Sequence, residues 1–334
     1  MSERLTISVA MGTYNGSAFL REQLESILTQ TQLPDELVVC DDASTDGTLV
    51  ILQEFRERAP FPVVIVEHPV TVGVCKNFEE AISRCAGDII ALSDQDDVWE
   101  PRKLEELLAK FAADPSCGYV FSNADLVDEE GRSQGRNLWQ SIGFDQGKQQ
   151  SYASEMQLEL MLQSCNLVYG MSLAFRACYR QILLPIESRL HTACTHDTWI
   201  SLMLSACGAY GSAIPELLVR YRQHGNQLAG GGRPSSFADK LVRDHRERDE
   251  IDLALADSLL NMAGRLKNAV RDSGSAELRR CMLIDKAAHL KARVAIRTAS
   301  VLRRPVLALH EARTGRYGRF SSSVSSAVKD LISG

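Results

Sequence analysis

Ser93-Asp94-Gln95-Asp96-Asp97-Val98-Trp99 follows directly on the apolar run Ile89-Ile90-Ala91-Leu92. The run is short and unbroken, as in a strand buried on both faces. Three carboxylates within four residues at the end of such a strand repel one another and compete for little water. A positive group among them relieves that repulsion. A hard divalent cation, Mg²⁺ or Mn²⁺, suits the set, because it takes one or two carboxylates and leaves positions open for phosphate oxygens. A solvated acidic turn is the bland alternative, and the rest of the chain decides between them.

Upstream, strand-like runs alternate with helical ones. Leu5–Met11 reads as a first strand, ended by Gly12-Thr13-Tyr14-Asn15-Gly16. Ser17 can cap the helix that follows, with Leu20, Leu24, Ile27 and Leu28 on one apolar face. Leu37–Cys40 is a second strand, running into Asp41–Thr48 and then a helix carrying Leu49, Leu52 and Phe55. Val63–Val66 is a third. The helix around Asn77–Cys85, burying Phe78, Ala81, Ile82 and Cys85, leads back to the acidic stretch. Pro101 opens the next helix at a favourable first-turn position, with Leu104, Leu107, Leu108 and Phe111 inward. Such alternation predicts an α/β fold with a mostly parallel sheet covered on both faces. Ligands of these sheets bind at the carboxyl ends of strands. The loops Gly12–Gly16, Asp41–Thr48 and Ser93–Asp97 should therefore converge on one crevice.

Downstream, Tyr119-Val120-Phe121 is strand-like, and Asp128–Tyr152, rich in Gly, Gln and Ser, is predicted to be a long mobile loop. Residues 164–175 return to a strand-like run containing Gly170, and a helix to Leu184 stops at Pro185. Thr195-His196-Asp197-Thr198-Trp199 heads the helix Ile200–Cys207, and Leu217-Leu218-Val219 leads to Arg220–Asn226. Gly230-Gly231-Gly232-Arg233-Pro234 reads as a linker dividing residues 1–230 from a helical region, 231–334.

The formal net charge of −6 hides an asymmetry: residues 1–232 carry 17 basic against 31 acidic side chains, and residues 233–334 carry 20 against 12. The nine cysteines lack paired or zinc-like spacing, which predicts free thiols in a reducing compartment. Leu5–Met11 is too short for a signal peptide, and no apolar run approaches the roughly 18–20 residues needed to span a bilayer. A cytoplasmic location and no nucleic-acid partner are expected. The first strand ends without G-x-G-x-x-G spacing and the chain lacks a G-x-x-x-x-G-K-[ST] loop, which argues against a nicotinamide oxidoreductase and a P-loop kinase. A signalling receiver module would use Asp41-Asp42 but leaves Ser93–Asp97 and Asp197 unexplained.

Over about residues 5–226 the chain resembles glycosyltransferase family 2, inverting enzymes with the GT-A nucleotide-sugar fold. The resemblance rests on Met11–Asn15, Val39–Thr48, Ser93–Trp99 and His196–Trp199, in that order. Asp-Gln-Asp-Asp-Val-Trp together with His-Asp-x-Trp looks most like bacterial rhamnosyltransferases of O-antigen or capsule synthesis. The resemblance implies a GT-A catalytic domain over 1–230 and a basic α-helical C-terminal region. It assigns Gly12, Thr13, Tyr14, Asn15, Asp42, Lys76, Asp94 and Gln95 to the nucleotide sugar, with the Tyr14 ring on a pyrimidine and Asp42 at its N3 proton. Asp96 and His224 would hold Mn²⁺ or Mg²⁺, and Asp197 would be the general base, although capping its helix suits Asp197 equally. Gly170, Met171, His196 and Trp199 fall where the family's acceptor wall runs. His196 stands where many relatives have Glu. Asp41 reads as a turn acid or a ligand, Thr45 and Asp46 as helix caps, and Asp97 and Trp99 as supports of the loop.

The implied partners are a nucleoside-diphosphate sugar and a glycan or lipid-linked glycan acceptor. The donor is dTDP-L-rhamnose by resemblance, with UDP-galactose or a UDP-N-acetylhexosamine as alternatives. A non-catalytic nucleotide-sugar-binding protein is the alternative of another class. The basic tail from Arg265 onward, including Arg303-Arg304 and Arg313–Arg319, would serve a homo-oligomer contact or dock on anionic lipid at the cytoplasmic face of the inner membrane.

Overall fold

The computed structural model describes residues 4–153, 156–164, 167–187, 194–225, 245–269, 274–321 and 325–332. The linker expected at Gly230–Pro234, together with Cys165 and Asn226, lies outside the described residues.

Strands β1 (Ile7–Thr13), β2 (Glu36–Asp41), β3 (Val63–Glu67) and β4 (Ile89–Ser93) pair in parallel in the order β3-β2-β1-β4. Helices α1 (Leu20–Leu28), α2 (Thr48–Arg58) and α3 (Val74–Arg84) connect them. Ile89, Ile90, Ala91 and Leu92 have no exposed surface. Burying each of their larger side chains contributes about 1.5–3 kcal/mol, which is why an unbroken apolar run settles at the centre of a sheet. Ser17 does not cap α1: the helix begins at Leu20 after Phe19, and the Ser17 N–H donates to Asp46 Oδ2 instead.

Beyond β4 the sheet becomes mixed. The short β5 (Val98–Trp99) precedes α4 (Lys103–Ala113) and the long β6 (Cys117–Val127). β7 (Ser133–Asn137), α5 (Leu138–Ile142), α6 (Gln146–Tyr152) and α7 (Gln157–Gln163) follow. β8 (Leu173–Arg176) lies antiparallel between β4 and β6, so the parallel expectation holds for the first four strands and reverses there. The last strand, β9 (Tyr210–Arg222), pairs in parallel with β6 and antiparallel with β5. Its register shifts where Pro215, lacking an N–H, interrupts the ladder.

Two expectations need correction. Asp128–Tyr152 is not a structureless loop: it holds β7, α5 and α6. Asn137 and Gln140 close a capping box on α5, and Asp145 caps α6. Trp139, Phe144 and Tyr152 pack around Phe121, Tyr152 edge-on to it and the other two tilted, an aromatic cluster that weak periodicity conceals. Residues 164–175 are not one strand either, since Gly170–Ser172 forms a 3₁₀ turn before β8.

After α8 (Arg180–Leu183), helix α9 (His196–Cys207) lies almost wholly buried. It packs against α3, α7, α8 and the C-terminal helices α10 (His245–Ala269) and α11 (Gly274–Thr298). Leu259, Met262 and Leu283 of those two helices join the core that backs the sheet. Helices α12 (Arg304–Arg313), α13 (Arg316–Phe320) and α14 (Ser325–Ile332) close the chain around a smaller cluster of Ile296, Ala308 and Tyr317.

Candidate active site

The three loops expected at one crevice are tied together by their own polar atoms. Gln95 clasps the Tyr14 backbone twice, accepting from its N–H at 2.8 Å and donating to its carbonyl at 3.0 Å. Asn15 N–H donates to Ser44 Oγ, and Thr45 N–H donates back to Asn15 Oδ1. Gly16 N–H donates to Thr48 Oγ1. A Cβ on Gly16 would fall 2.2 Å from Gln95 Oε1, so the clasp requires glycine there. Asn15 and Ala43 hold positive φ, 46° and 61°, inside these loops. For alanine that conformation costs on the order of 1 kcal/mol, and the bonds around it keep it populated.

Several residues assigned to the nucleotide sugar are therefore also structural. Thr13 Oγ1 donates to Asp41 Oδ1, and both Asp41 oxygens bind Ser44, which makes this buried acid the organiser of its loop. Asp42 accepts from the backbone N–H groups of Val72 and Gly73 at 2.6 and 3.0 Å, tying the second loop to the start of α3. Asp46 takes Thr48 N–H and Oγ1 at the head of α2. Gly12 sits 3.0–3.2 Å, as a hypothetical Cβ, from Phe78 and Asn77. Lys76 pairs with Glu79 along α3. Tyr14 keeps half its surface exposed, its ring free to stack on a flat ligand.

The acidic stretch has two layers. Asp96, half-buried, meets His224 with Oδ2 2.8 Å from Nε2, and the imidazole leans on Phe19. Asp94, half-buried beside it, has its carboxyl pushed up to about 8, by burial first and then by the charges of Asp96 and Asp197. Beneath them Asp97 is fully buried; Oδ1 accepts from Arg222 N–H while Oδ2 has no hydrogen-bond partner among the described residues. Burial, Asp96 and Asp94 all push its carboxyl well above the usual range.

Two buried cations support this layer, and sequence reasoning missed both. Lys103 has no exposed surface, donates to the Met171 carbonyl and stands 3.7 Å from the Trp99 ring centroid. Burial holds its ammonium well below the usual lysine range, while Asp97 and Asp94 pull it back up. Its signal was a lysine at i, i+4 and i+8 with Leu107 and Phe111 on the apolar stripe. Arg222, 1 % exposed, donates to the carbonyls of Asp96 and Glu129 and to Glu22 Oε2, fixing the backbone that presents Asp96.

Asp197 approaches from α9. It is the second residue of that helix, not its cap, which is Thr195. Thr195 Oγ1 and Thr198 N–H donate to its Oδ1, and Gly170 N–H donates to its Oδ2 at 3.0 Å. His196 stacks on Phe78 with centroids 3.8 Å apart, and neither ring nitrogen has a hydrogen-bond partner among the described residues. Burial holds its pKa below the usual histidine value, with Asp197 opposing. Trp199 is fully buried and its indole N–H donates to the Leu183 carbonyl, which gives this side chain a packing role behind the wall. The Met171 side chain is likewise buried, and its carbonyl serves Lys103.

Oxygen and imidazole donors at Asp96, His224 and Asp94 have the chemistry for a hard or borderline divalent cation. Among the described residues no three such side chains close on one point, so a cation there would take the rest of its shell from ligand and water.

The sequence profile described as glycosyl transferase family 2 matches residues 8–183. The dTDP-rhamnosyl transferase RfbG of Shigella flexneri is 29% identical over 260 residues, 72% of this chain and 82% of that protein. A Bacillus subtilis (strain 168) protein named for teichuronic acid biosynthesis, the glycosyltransferase TuaG, is 29% identical over 227 residues, 67% of this chain and 81% of its own. Among solved structures, S. aureus TarS 1–349 superposes with a TM-score of 0.59 at 16% identity, covering 98% of this chain and 89% of that one, a likeness of fold.

Proposed function

The chain belongs to glycosyltransferase family 2, and from that premise we propose that it is a cation-dependent inverting enzyme of cell-surface polysaccharide synthesis that transfers L-rhamnose from dTDP-L-rhamnose to a glycan acceptor. One observation carries the reading. The Gly170–Ser172 turn links the acidic stretch to Asp197: Gly170 N–H donates to Asp197 Oδ2, and the adjoining Met171 carbonyl accepts from Lys103, which stands on the Trp99 ring at the end of that stretch. This supports a donor edge and a base that are neighbours.

Tyr14 would offer its exposed ring to the pyrimidine, and the Gln95 clasp on its backbone holds that residue in place. Asp96 and His224 would hold Mn²⁺ or Mg²⁺, which when bound offsets charge on the diphosphate. Asp197 accepts the proton of the acceptor hydroxyl as that oxygen bonds to the anomeric carbon; the bond from that carbon to the diphosphate breaks, and the nucleoside diphosphate leaves with the electron pair. Thr195, Thr198 and Gly170 hold the carboxylate in one orientation, and the free lone pairs of its two oxygens take the proton. Attack opposite the leaving group inverts the carbon.

The rhamnosyl assignment draws support from the similarity to RfbG and from the motif version in this chain. A UDP-hexose donor is the competing reading. Nucleoside diphosphate release measured across dTDP-L-rhamnose, UDP-galactose and UDP-N-acetylglucosamine separates them. We expect release from dTDP-L-rhamnose, lost with excess chelator, restored by Mn²⁺ or Mg²⁺, and absent in Asp96→Ala. Full turnover in chelator would remove the cation, and preference for a UDP-sugar would remove rhamnose.

A further inference from the structure

The sequence reading gives the C-terminal region an exposed basic surface, but several of its described arginines are engaged within the protein. Arg265 lies over the Trp199 ring and donates to the carbonyls of Ile182, Leu183 and Pro185. Arg279 donates to the Ala206 carbonyl. Arg297, 2 % exposed at its side chain, is shared by Asp249, Asp252 and Asp330, and Arg293 also binds Asp330. Arg316 and Arg319 pair with Glu311 and Glu159.

One exposed surface left outside is an apolar ridge with arginines beside it. Helix α12 and the turn Ser300–Arg303 leading into it are arranged inside out. Two of their charged groups point into the protein: Glu311 is buried against His289 and Arg316, and Arg304 donates to the carbonyls of Ala299 and Leu331. Leu302, Val306 and Leu309, at i, i+4 and i+7, occupy the opposite face and are 90, 69 and 54 % exposed. Arg304 also donates to the last turn of α14, and Val301 and Ile332 are exposed as well. Arg313 continues the ridge at i+11 and Arg303 flanks it; both are exposed, and neither has a carboxylate partner among the described residues.

We propose that this ridge docks the enzyme on an anionic phospholipid bilayer, with Leu302, Val306 and Leu309 entering the boundary between headgroups and acyl chains. The charge pattern selects the lipid. A bilayer offers a phosphate to Arg303 and to Arg313 wherever they land. A two-fold contact with a second copy would instead bring the same arginines together and bury Arg313 without an acid. Among the described residues no helix is long and apolar enough to cross the membrane, so the contact is peripheral.

Flotation of the full chain with phosphatidylcholine vesicles, with and without phosphatidylglycerol, tests this. The wild type should float with the anionic vesicles and detach at high salt. Leu302→Ser/Val306→Ser/Leu309→Ser and Arg303→Glu/Arg313→Glu should each reduce retention about tenfold or more. Both alter exposed residues remote in sequence from the catalytic motifs, so nucleoside diphosphate release in solution should not change. Absence of wild-type flotation, or equal flotation by the variants, would overturn the proposal. So would a concentration-dependent dimer in sedimentation that the triple serine variant abolishes, since the ridge would then belong to a second copy.

Discussion

At Gly170 the chain has no room for a methyl group. A Cβ there would stand 2.8 Å from His196 Nε2, and His196 cannot swing aside freely because its ring is stacked on Phe78. The same residue donates its N–H to Asp197 Oδ2. Gly170→Ala should therefore displace the carboxylate and lower kcat about ten- to a hundredfold, with the donor KM little changed. Steady-state kinetics check this, and an unchanged kcat would show that the contact is idle. Asp197 was legible in the sequence because it sits in a short local motif. Its holder was not, since Gly170 lies 27 residues away and only packing reveals the bond.

The acidic stretch at the end of β4 is legible for the same local reason, while Lys103 beneath it is not: a lysine near a helix start reads as solvated until its burial is seen. Between α11 and α12 a similar buried pair has a consequence for stability. His289 is fully buried, with Nδ1 2.7 Å from Glu311 and Nε2 2.9 Å from Ser321. Burial holds its pKa below the unfolded value near 6.5; Glu311 opposes, Lys286 and Arg293 add to the depression, and the Tyr317 ring packs across it. The unfolded chain then binds the extra proton, so stability from this site is present above that value and is lost as pH falls toward the folded pKa. The slope is at most about 1.4 kcal/mol per pH unit. With the intrinsic exchange rate divided out, the protection of amides in α11 and α12 should fall as pH drops below about 6.5, and His289→Gln should flatten that change. An identical profile in the variant would assign the pH dependence elsewhere.

Across the whole molecule, the strand-and-helix alternation through residue 93 was readable because each apolar run announces its own strand. The reversed half was not: β6, β8 and β9 pair across separations of about 50 to 100 residues, which no local pattern encodes. That half nevertheless completes the site, bringing Arg222 and His224 from the end of β9 to the Asp96 loop. The central claim is that this assembled edge binds the donor while Asp197 alone takes the proton. The most direct measurement is single-turnover nucleoside diphosphate release by Asp197→Asn with donor, acceptor and Mn²⁺, alongside its affinity for the Mn²⁺ nucleotide. The expected result is a rate about 10²- to 10⁴-fold lower with unchanged nucleotide affinity; a wild-type rate would contradict the account.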